Sequence, residues 1–262
     1  MDALNTVQID GLTQIPNRSG WLSAVQACLD VQISSDAKPL KGILFIDLDR
    51  FKWVNDSLGH DAGDLLLQKV VRLIESHLIL TGALADVVGR FGGDEFVVLI
   101  QHPQSLESVE GLASAIVKSL SQPICLNRSN CDENAEVEIG ASIGVASYPN
   151  DAQEIETLLK FADLAMYRAK HSGRNQVVFY KPEMMYHIER RRQIQVQLRK
   201  ALKQQRLTLD YMPVFDSKNQ EVVAIEAMLN VTRCPELMEM DVAQLMSIAE
   251  ESQVGIVLGE WM

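Results

Sequence analysis

The chain has 262 residues and a formal net charge of −11, with 47% hydrophobic and 23% charged residues, the composition of a folded globular protein. This acidity excludes the wrapping of nucleic acid, because that mode of binding needs clustered cations. No apolar run reaches the roughly 18 residues of a membrane-spanning helix, and no signal peptide opens the sequence. We therefore expect a cytoplasmic protein without a membrane segment, any membrane anchor of its parent protein lying upstream.

Helical and strand patterns alternate through the first 180 residues. Apolar residues at helical spacing predict an amphipathic helix at 19–33, and a short apolar run predicts a strand at 42–46 that ends at Asp47. Further helices are predicted at 62–80, 106–120 and 155–171, and further strands at 87–90, 96–99, 137–148 and 177–180. This order, with an antiparallel hairpin at its centre, predicts an α+β fold in which helices flank a mostly antiparallel central sheet.

Beyond residue 180 the pattern changes. Residues 184–205 are helical and basic, which favours a solvated linker helix over a binding patch. Two alternating apolar segments follow at 207–215 and 222–229, and then a helical stretch at 242–251. The patterns together predict three parts: a domain at 1–180, a linker helix at 181–206 and a separate segment at 207–262.

The stretch from Gly92 to Phe96 connects two strand-forming segments. Gly92 and Gly93 tolerate positive φ, which predicts a tight hairpin with these glycines as its two-residue connection. Asp94 and Glu95 follow directly. Glycines let a bulky ligand approach the backbone, and carboxylate oxygens are hard ligands suited to Mg²⁺. The tip is therefore predicted to be a nucleotide site rather than a solvated turn.

Four further segments accompany this hairpin. They are Asp10 to Arg18 (DGLTQIPNR), Ile46 to Asp64 (IDLDRFKWVNDSLGHDAGD), Ser142 to Ala146 (SIGVA), and Ala162 to Lys170 (ADLAMYRAK) with Gly173-Arg174-Asn175. In content and order the five segments resemble the GGDEF domains of diguanylate cyclases, over roughly residues 8–180. The resemblance implies the fold of that family, a relative of the polymerase palm and of the nucleotide cyclases.

The resemblance also implies an activity. It predicts a nucleotidyltransferase that uses Mg²⁺, with Mn²⁺ as the alternative ion, to condense two GTP molecules into cyclic di-GMP and two pyrophosphates. Each subunit would hold one GTP, so a homodimer is the expected catalytic species. The competing hypothesis is a non-catalytic module whose GTP binding regulates a neighbouring EAL domain or a partner protein.

Metal ligands for such a reaction must converge from different strands. Asp47 at a strand end and Asp94 at the hairpin tip meet this demand, and the resemblance adds the backbone carbonyl of Leu48. Adjacent strand residues point to opposite faces, so Asp94 and Glu95 are not expected to share one role. The resemblance makes Asp94 a metal ligand and puts Glu95 beside the second metal or the attacking 3′-hydroxyl.

Guanine selection needs groups that pair with the edge of the base, and Asn55 and Asp64 fill these places in the matching motif. The triphosphate is expected over the turn at 49–52, whose backbone N–H groups form an anion nest. Lys170 and Arg174, at i and i+4 around a helix end, are expected to lean toward one phosphate. The full substrate set is Phe51, Lys52, Asn55, Asp64, Gly92, Gly93, Lys170 and Arg174, with Lys52, Asp94 and Glu95 as the catalytic residues.

Residues 207–262 resemble the first quarter of an EAL domain, the barrel of cyclic di-GMP phosphodiesterases. The matching residues are Tyr211-Met212-Pro213-Val214 and Glu226-Ala227-Met228-Leu229. Met212 replaces a ligand-contacting Gln of that family, and Asn230-Val231 stand in place of Arg-Trp. A (β/α)₈ barrel takes roughly 200 residues or more. We therefore expect an incomplete, degenerate barrel fragment without phosphodiesterase activity.

Arg90 and a four-residue frame that precedes the hairpin tip each carry a further prediction. Arg90 is expected to stabilise the hairpin and to take no part in chemistry. Many members of the family carry an R-x-x-D motif shortly before the Gly-Gly tip, where product binds and inhibits. The matching frame is Ala83-Leu84-Ala85-Asp86, which lacks the Arg, so product inhibition there is predicted to be weak or lost.

Overall fold

The structure, a computed structural model, describes residues 8–30, 39–80, 87–126, 135–218, 220–238, 240–250 and 252–262. The chain divides into two compact units, Met1–Met184 and Met185–Met262. The domain boundaries expected at residues 180 and 206 stay predictions. None of the described helices is long and apolar enough to cross a bilayer.

The first unit contains the predicted alternation of helices and strands. The described helices are α1 (Arg18–Asp30), α2 (Phe51–Leu58), α3 (His60–Leu80), α4 (Leu106–Leu120) and α5 (Ile155–His171). The described strands are β1 (Lys41–Asp49), β2 (Val87–Gly92), β3 (Glu95–Ile100), β4 (Ile124–Leu126), β5 (Ala135–Val137), β6 (Gly140–Tyr148) and β7 (Gln176–Phe179). Helices α4 and α5 begin and end at the predicted residues.

Five strands form the central sheet in the order β2-β3-β1-β6-β7. The pairings β2–β3, β3–β1 and β1–β6 are antiparallel, and only β6–β7 is parallel. The sheet is therefore mixed and mostly antiparallel, which confirms the predicted fold class for this unit. Strand β7 lies at the edge, as its short apolar pattern predicted.

Strand β1 is central because both of its faces are apolar. Leu44 and Ile46 pack in one core with α2, α3 and α4. Ile43 and Phe45 pack in a second core with α1 and α5. Successive side chains of a strand alternate between faces, so Asp47 continues the face that α1 and α5 cover. The strand thus delivers a carboxylate to the end of the α5 side of the sheet.

Two elements differ from the prediction. The segment at 49–52, expected to be only a turn, leads directly into α2, because Arg50 adopts φ 63° and Phe51 and Val54 are buried on one side of the helix. The single strand expected at 137–148 is divided: β5 pairs with β4 in a small separate sheet, whereas β6 joins the central sheet.

The second unit begins within a long helix. Its described elements are α6 (Glu183–Lys203), β8 (Thr208–Phe215), β9 (Val222–Asn230), α7 (Val242–Glu250) and α8 (Gln253–Trp261). Strands β8 and β9 form an antiparallel hairpin, and α7 matches the predicted helix. Ile194, Leu198 and Ala201 of α6 are buried in the core of this unit, so the helix is packed along this stretch and is not the solvated linker that its basic composition suggested.

Close packing between α5 and the sheet depends on Gly144 of β6. A methyl group on this glycine would overlap the carbonyl oxygen of Ala162 and the backbone nitrogen of Met166. These are backbone atoms of α5, which cannot move aside like a flexible side chain. We therefore expect Gly144→Ala to lower the free energy of unfolding by about 3 kcal/mol, measured by urea denaturation.

The matched control is Gly111→Ala in α4, where a methyl group would meet nothing within 4 Å. Alanine favours a helix over glycine by up to about 1 kcal/mol, so this variant should be as stable as the wild type or more so. Equal stability of the two variants would contradict the importance of the contact between α5 and β6.

Candidate active site

Two carboxylates lie opposite each other on strands β1 and β3. The register partner of Asp47 in β1 is Glu95 in β3. Cross-strand partners carry their side chains on the same face of a sheet, here the face covered by α5. The backbone N–H of Leu48 donates to the carbonyl of Asp94 at 3.3 Å. This bond holds the tip of the β2–β3 hairpin against the end of β1.

The hairpin turn lies one residue later than the sequence predicted. Gly92 pairs with Glu95 in the sheet, so the two-residue connection is Gly93-Asp94. A register shift between Arg90 and Gly92 adds a residue before the turn, which is the effect of a β-bulge. Both glycines have positive φ, 154° and 49°, and a methyl group on either would meet nothing within 4 Å. The tip is open to the approach of a ligand.

This turn also changes the relation between Asp94 and Glu95. Asp94 lies in the turn and only Glu95 in the strand, so the alternation of strand side chains does not separate the two carboxylates. The pKa of Asp47 is raised from 3.8 to about 6, first by burial and then by the carboxylates of Asp94 and Glu95. All three acidic groups therefore act on one electrostatic site.

Lys170 of α5 supplies positive charge to this site. Its Nζ lies 2.6 Å from Oδ2 of Asp47, and the Asp47 side chain is only 6% exposed. The hydrogen bond from Lys170 opposes the upward shift in the pKa of Asp47 without cancelling it. The sequence predicted Lys170 beside a phosphate of the substrate; in the structure its ammonium group contacts a predicted metal ligand.

Asp163 is a member of the cluster that the sequence argument missed. Burial raises the pKa of Glu95, and the carboxylates of Asp163 and Asp94 raise it further, whereas Lys170 and Arg18 oppose this. Burial also raises the pKa of Asp163, and Lys170 opposes that shift. Asp163 and Lys170 are seven residues apart, which puts them on the same side of a helix, two turns apart. From this spacing alone, the sequence could have predicted that Asp163 lies near Lys170.

The cluster suits a divalent cation. Asp47 and Asp94 offer the hard oxygen atoms that Mg²⁺ prefers, and a cation would relieve the repulsion that contributes to the raised pKa of Asp47. Within the described ranges, no three His, Cys, Asp or Glu side chains form a group that could hold a metal ion by themselves. The predicted set of two carboxylates and the Leu48 carbonyl therefore needs oxygen atoms of substrate or water as further ligands.

The residues predicted to select guanine lie at the corner between α2 and α3. Asn55 is half-buried on α2 and Asp64 is exposed on α3. A methyl group on Gly63 would overlap Oδ1 of Asn55, so the amide of Asn55 lies against the residue that precedes Asp64. Helix packing thus brings the predicted amide and carboxylate into one neighbourhood.

The predicted phosphate residues are more dispersed. Lys52 is exposed on α2, whereas the Phe51 side chain is buried in the core, so only the backbone of Phe51 is available to a ligand. Helix α5 ends at His171, and the N–H of Arg174 donates to the carbonyl of Ala169 across a Gly173 turn. Arg174 therefore lies beyond the helix, and the expected i,i+4 alignment with Lys170 does not hold.

Arg90 links the hairpin tip to the N-terminal segment. Its Nε and Nη2 donate to the carbonyl of Gly93 at 3.1 and 2.7 Å, and its Nη1 donates to Oδ1 of Asp10 at 3.0 Å. Burial raises the pKa of Asp10, but hydrogen bonds from Thr13 and Arg90 outweigh it and the net shift is downward. These contacts give Arg90 the stabilising role that the sequence predicted. The frame Ala83–Asp86 lies outside the described residues.

The raised pKa of Asp47 implies a pH dependence of stability without divalent cations. The unfolded chain ionises this group near 3.8 and the folded chain near 6, so the folded state binds more protons between these values. The contribution of Asp47 to stability is complete below about pH 4 and is lost as the pH rises to about 6, by up to about 3 kcal/mol. Asp47→Asn should therefore gain stability relative to the wild type as the pH rises, measured by urea denaturation in EDTA.

Asp56→Asn is the control for this experiment, because Asp56 is exposed on α2. Its stability should follow that of the wild type across the pH range. Parallel curves for Asp47→Asn and the wild type would show that Asp47 has no raised pKa in the folded protein.

Arg90→Gln should lower the free energy of unfolding by about 1 to 3 kcal/mol, because it removes charge-assisted hydrogen bonds to Gly93 and Asp10 from a shielded site. Urea denaturation at neutral pH measures the effect. Arg72→Gln, an exposed change on α3, is the control and should leave stability unchanged. If both variants unfold at the same urea concentration, Arg90 does not stabilise the hairpin.

Comparison with known proteins gives a consistent picture. The family model described as "Diguanylate cyclase, GGDEF domain" matches residues 7–176. The GGDEF domain of TpbB (YfiN) from Pseudomonas aeruginosa superposes with a TM-score of 0.62 at 33% identity, covering 69% of this chain and 99% of that structure. The family match lies within the first unit, where the site lies.

Two curated relatives also come from Pseudomonas aeruginosa. The bifunctional diguanylate cyclase/cyclic di-GMP phosphodiesterase MucR is 36% identical over 253 residues, covering 97% of this chain and 35% of MucR. The cyclic di-GMP phosphodiesterase NbdA is 36% identical over 220 residues, covering 84% of this chain and 26% of NbdA. The chain thus spans about a third or less of the length of these relatives. By the family model and these likenesses, the chain belongs to the family of diguanylate cyclase GGDEF domains.

Proposed function

We propose that this protein is a diguanylate cyclase that condenses two GTP molecules into cyclic di-GMP and releases two pyrophosphates. The observation that carries the proposal is the convergence of Asp47, Asp94 and Glu95 beside Lys170 at an open glycine tip. A domain that had lost phosphoryl-transfer chemistry would have no need to keep three mutually repelling carboxylates at the end of a buried strand.

The predicted site residues would have different roles in substrate binding and proton transfer. Asn55 and Asp64 would pair with the guanine edge and so favour GTP over ATP. Lys52 and Arg174 would bind phosphate oxygens. Glu95 would accept the proton of the attacking 3′-hydroxyl, and its raised pKa, caused by burial and the neighbouring carboxylates of Asp163 and Asp94, makes it a stronger base than a solvated glutamate.

Asp47, Asp94 and the backbone carbonyl of Leu48 would hold Mg²⁺, or Mn²⁺ in its place. Bound there, the ion would neutralise charge on the transferring phosphoryl group and on the leaving pyrophosphate. With an ion held by Asp47, Lys170 would be able to leave this carboxylate and bind a phosphate oxygen of GTP. The ion pair between Lys170 and Asp47 is therefore compatible with the predicted contact between Lys170 and a phosphate of GTP.

Each chain offers one such site, so joining two GTP molecules requires two chains with their hairpin tips face to face. Each 3′-hydroxyl attacks the α-phosphate held by the other chain, and each attack breaks one bond to a pyrophosphate. The catalytic species is therefore a homodimer.

The alternative function is a non-catalytic module whose GTP binding regulates an EAL domain or a partner protein. NbdA, whose name describes only a phosphodiesterase, is as similar to this chain as MucR, whose name describes both activities. Sequence similarity therefore does not decide between a cyclase and a regulatory module. An assay of cyclic di-GMP formation does.

We further propose that residues 207–262 form an EAL-like segment. The alignment with MucR covers 97% of this chain, so it extends beyond the GGDEF part into this stretch. In the second unit, β9 carries Glu226, the residue that matches the Glu of the EAL motif, opposite Met212 of β8.

Incubation with GTP and Mg²⁺ at high protein concentration should yield cyclic di-GMP, measured by separating nucleotides chromatographically. Asp94→Asn should lower the rate about 100-fold or more, because it removes a charged group from the reacting centre. Asp56→Asn, an exposed change on α2, is the control and should retain the wild-type rate.

The outcomes separate the two functions. Cyclic di-GMP formed by the wild type and lost in Asp94→Asn supports the cyclase. Calorimetric GTP binding without turnover, even when two chains are fused to force dimerisation, would support the regulatory module. Full turnover by Asp94→Asn would overturn the assignment of the site.

A further inference from the structure

The β8–β9 hairpin of the second unit exposes most of its surface. Its two strands form a sheet of their own, and every residue from 210 to 215 and from 222 to 228 is exposed. Leu229, near one end of the hairpin, is buried in the core of this unit. A two-stranded hairpin is at best marginally stable in water unless further strands or another element pack on it. The exposed part of the hairpin has no such packing layer among the described residues.

The two faces of the hairpin differ in chemistry. Cross-strand partners share a face of a sheet, and alternate residues of one strand point to the same face. By these two rules, one face carries six uncharged residues: Tyr211, Pro213, Phe215, Val222, Ile225 and Ala227. The opposite face carries Met212 and, directly across from it, Glu226. We call the uncharged side the apolar face.

The apolar face is large enough for a specific interface. Tyr211 and Ile225 are 65% and 66% exposed, and Phe215 and Val222 are 53% and 54% exposed. These four residues alone expose roughly 500 Å², taking about 200 Å² for a fully accessible residue of this size. The remaining two residues of the face extend this area toward the roughly 600 Å² or more that each partner buries in a stable interface. Contiguous apolar patches of this size mark interaction sites, unlike scattered exposed side chains.

The charge distribution favours a second copy of this chain as the partner. The chain has a formal net charge of −11, so two copies repel each other wherever their charged surfaces meet. A contact about a two-fold axis puts the same surface of both copies together. On the apolar face this brings no like charges together, because Asp210 and Glu226 lie on the opposite face. A partner selected by charge would find no charged group to bind there.

We propose that the apolar face is a dimerisation surface, on which the β8–β9 hairpins of two copies pack face to face about a two-fold axis. Ile225 lies at the centre of this contact, since its partner Pro213 is the middle residue of the face on β8. Face-to-face packing gives each hairpin the layer that it lacks within its own chain.

Association through the second unit has a consequence for the first unit. Two chains held together raise the effective concentration of one nucleotide site for the other. The condensation of two GTP molecules needs both sites, so the hairpin would promote the encounter of the two first units. This consequence rests on the proposed cyclase function, whereas the association of the hairpins does not.

Sedimentation velocity of the full chain, in EDTA and without nucleotide, tests the proposal across micromolar concentrations. The wild type should form dimers as its concentration rises. Ile225→Lys should raise the dissociation constant about tenfold or more, because it puts one lysine from each copy into an apolar contact. Tyr211→Thr should also weaken the dimer, since it removes an aromatic contact but keeps a residue that favours strands. Both side chains are exposed, so both variants should keep the wild-type circular dichroism.

Met212→Lys is the matched control, because it puts the same charge into the same hairpin but on the opposite face, across from Glu226. It should dimerise like the wild type. A wild type that stays monomeric overturns the proposal, and oxidative labelling of Tyr211 then shows whether the face is open or covered within the chain. Dimers that survive both Ile225→Lys and Tyr211→Thr, or that Met212→Lys weakens as much as Ile225→Lys does, also overturn it.

Discussion

The antiparallel register between β1 and β3 sets Asp47 directly opposite Glu95 at the end of a buried strand. Like charges in this position destabilise a sheet, and the hairpin turn adds Asp94 to the same site. The ammonium group of Lys170 lies against Asp47, yet burial, together with the carboxylates of Asp94 and Glu95, still raises the pKa of Asp47. The excess of negative charge at this site favours the binding of a further cation. The proposed condensation of two GTP molecules depends on such a cation.

The scaffold keeps these groups close despite their repulsion. Gly144 lets α5 pack against the backbone of β6, which brings Lys170 to the end of β1. From the other side, Arg90 holds the carbonyl of Gly93 and joins it to Asp10. The contact between α5 and β6 and the hydrogen bonds of Arg90 thus hold the carboxylates close together, although the carboxylates repel one another.

The end of α5 puts two neighbouring basic residues in different backbone settings. Lys170, in the last turn of the helix, reaches the carboxylate cluster. Arg174 lies beyond the Gly173 turn, where its backbone N–H donates to the carbonyl of Ala169. Asp49 accepts a hydrogen bond from the backbone of Asn175 in that turn, so a single strand, β1, carries Asp47 of the carboxylate cluster and also holds the turn after α5 through Asp49.

The sequence by itself determined the family, the fold class of the first unit and the identity of the carboxylates, because motifs and periodicity are local properties of the chain. It placed the hairpin turn one residue early, since a β-bulge depends on the strand partner and leaves no signal in composition. It also missed Asp163 as a neighbour of Glu95 and misjudged the alignment of Lys170 with Arg174. Distances between separate elements and the exact end of a helix arise from packing, and only the tertiary structure decided them.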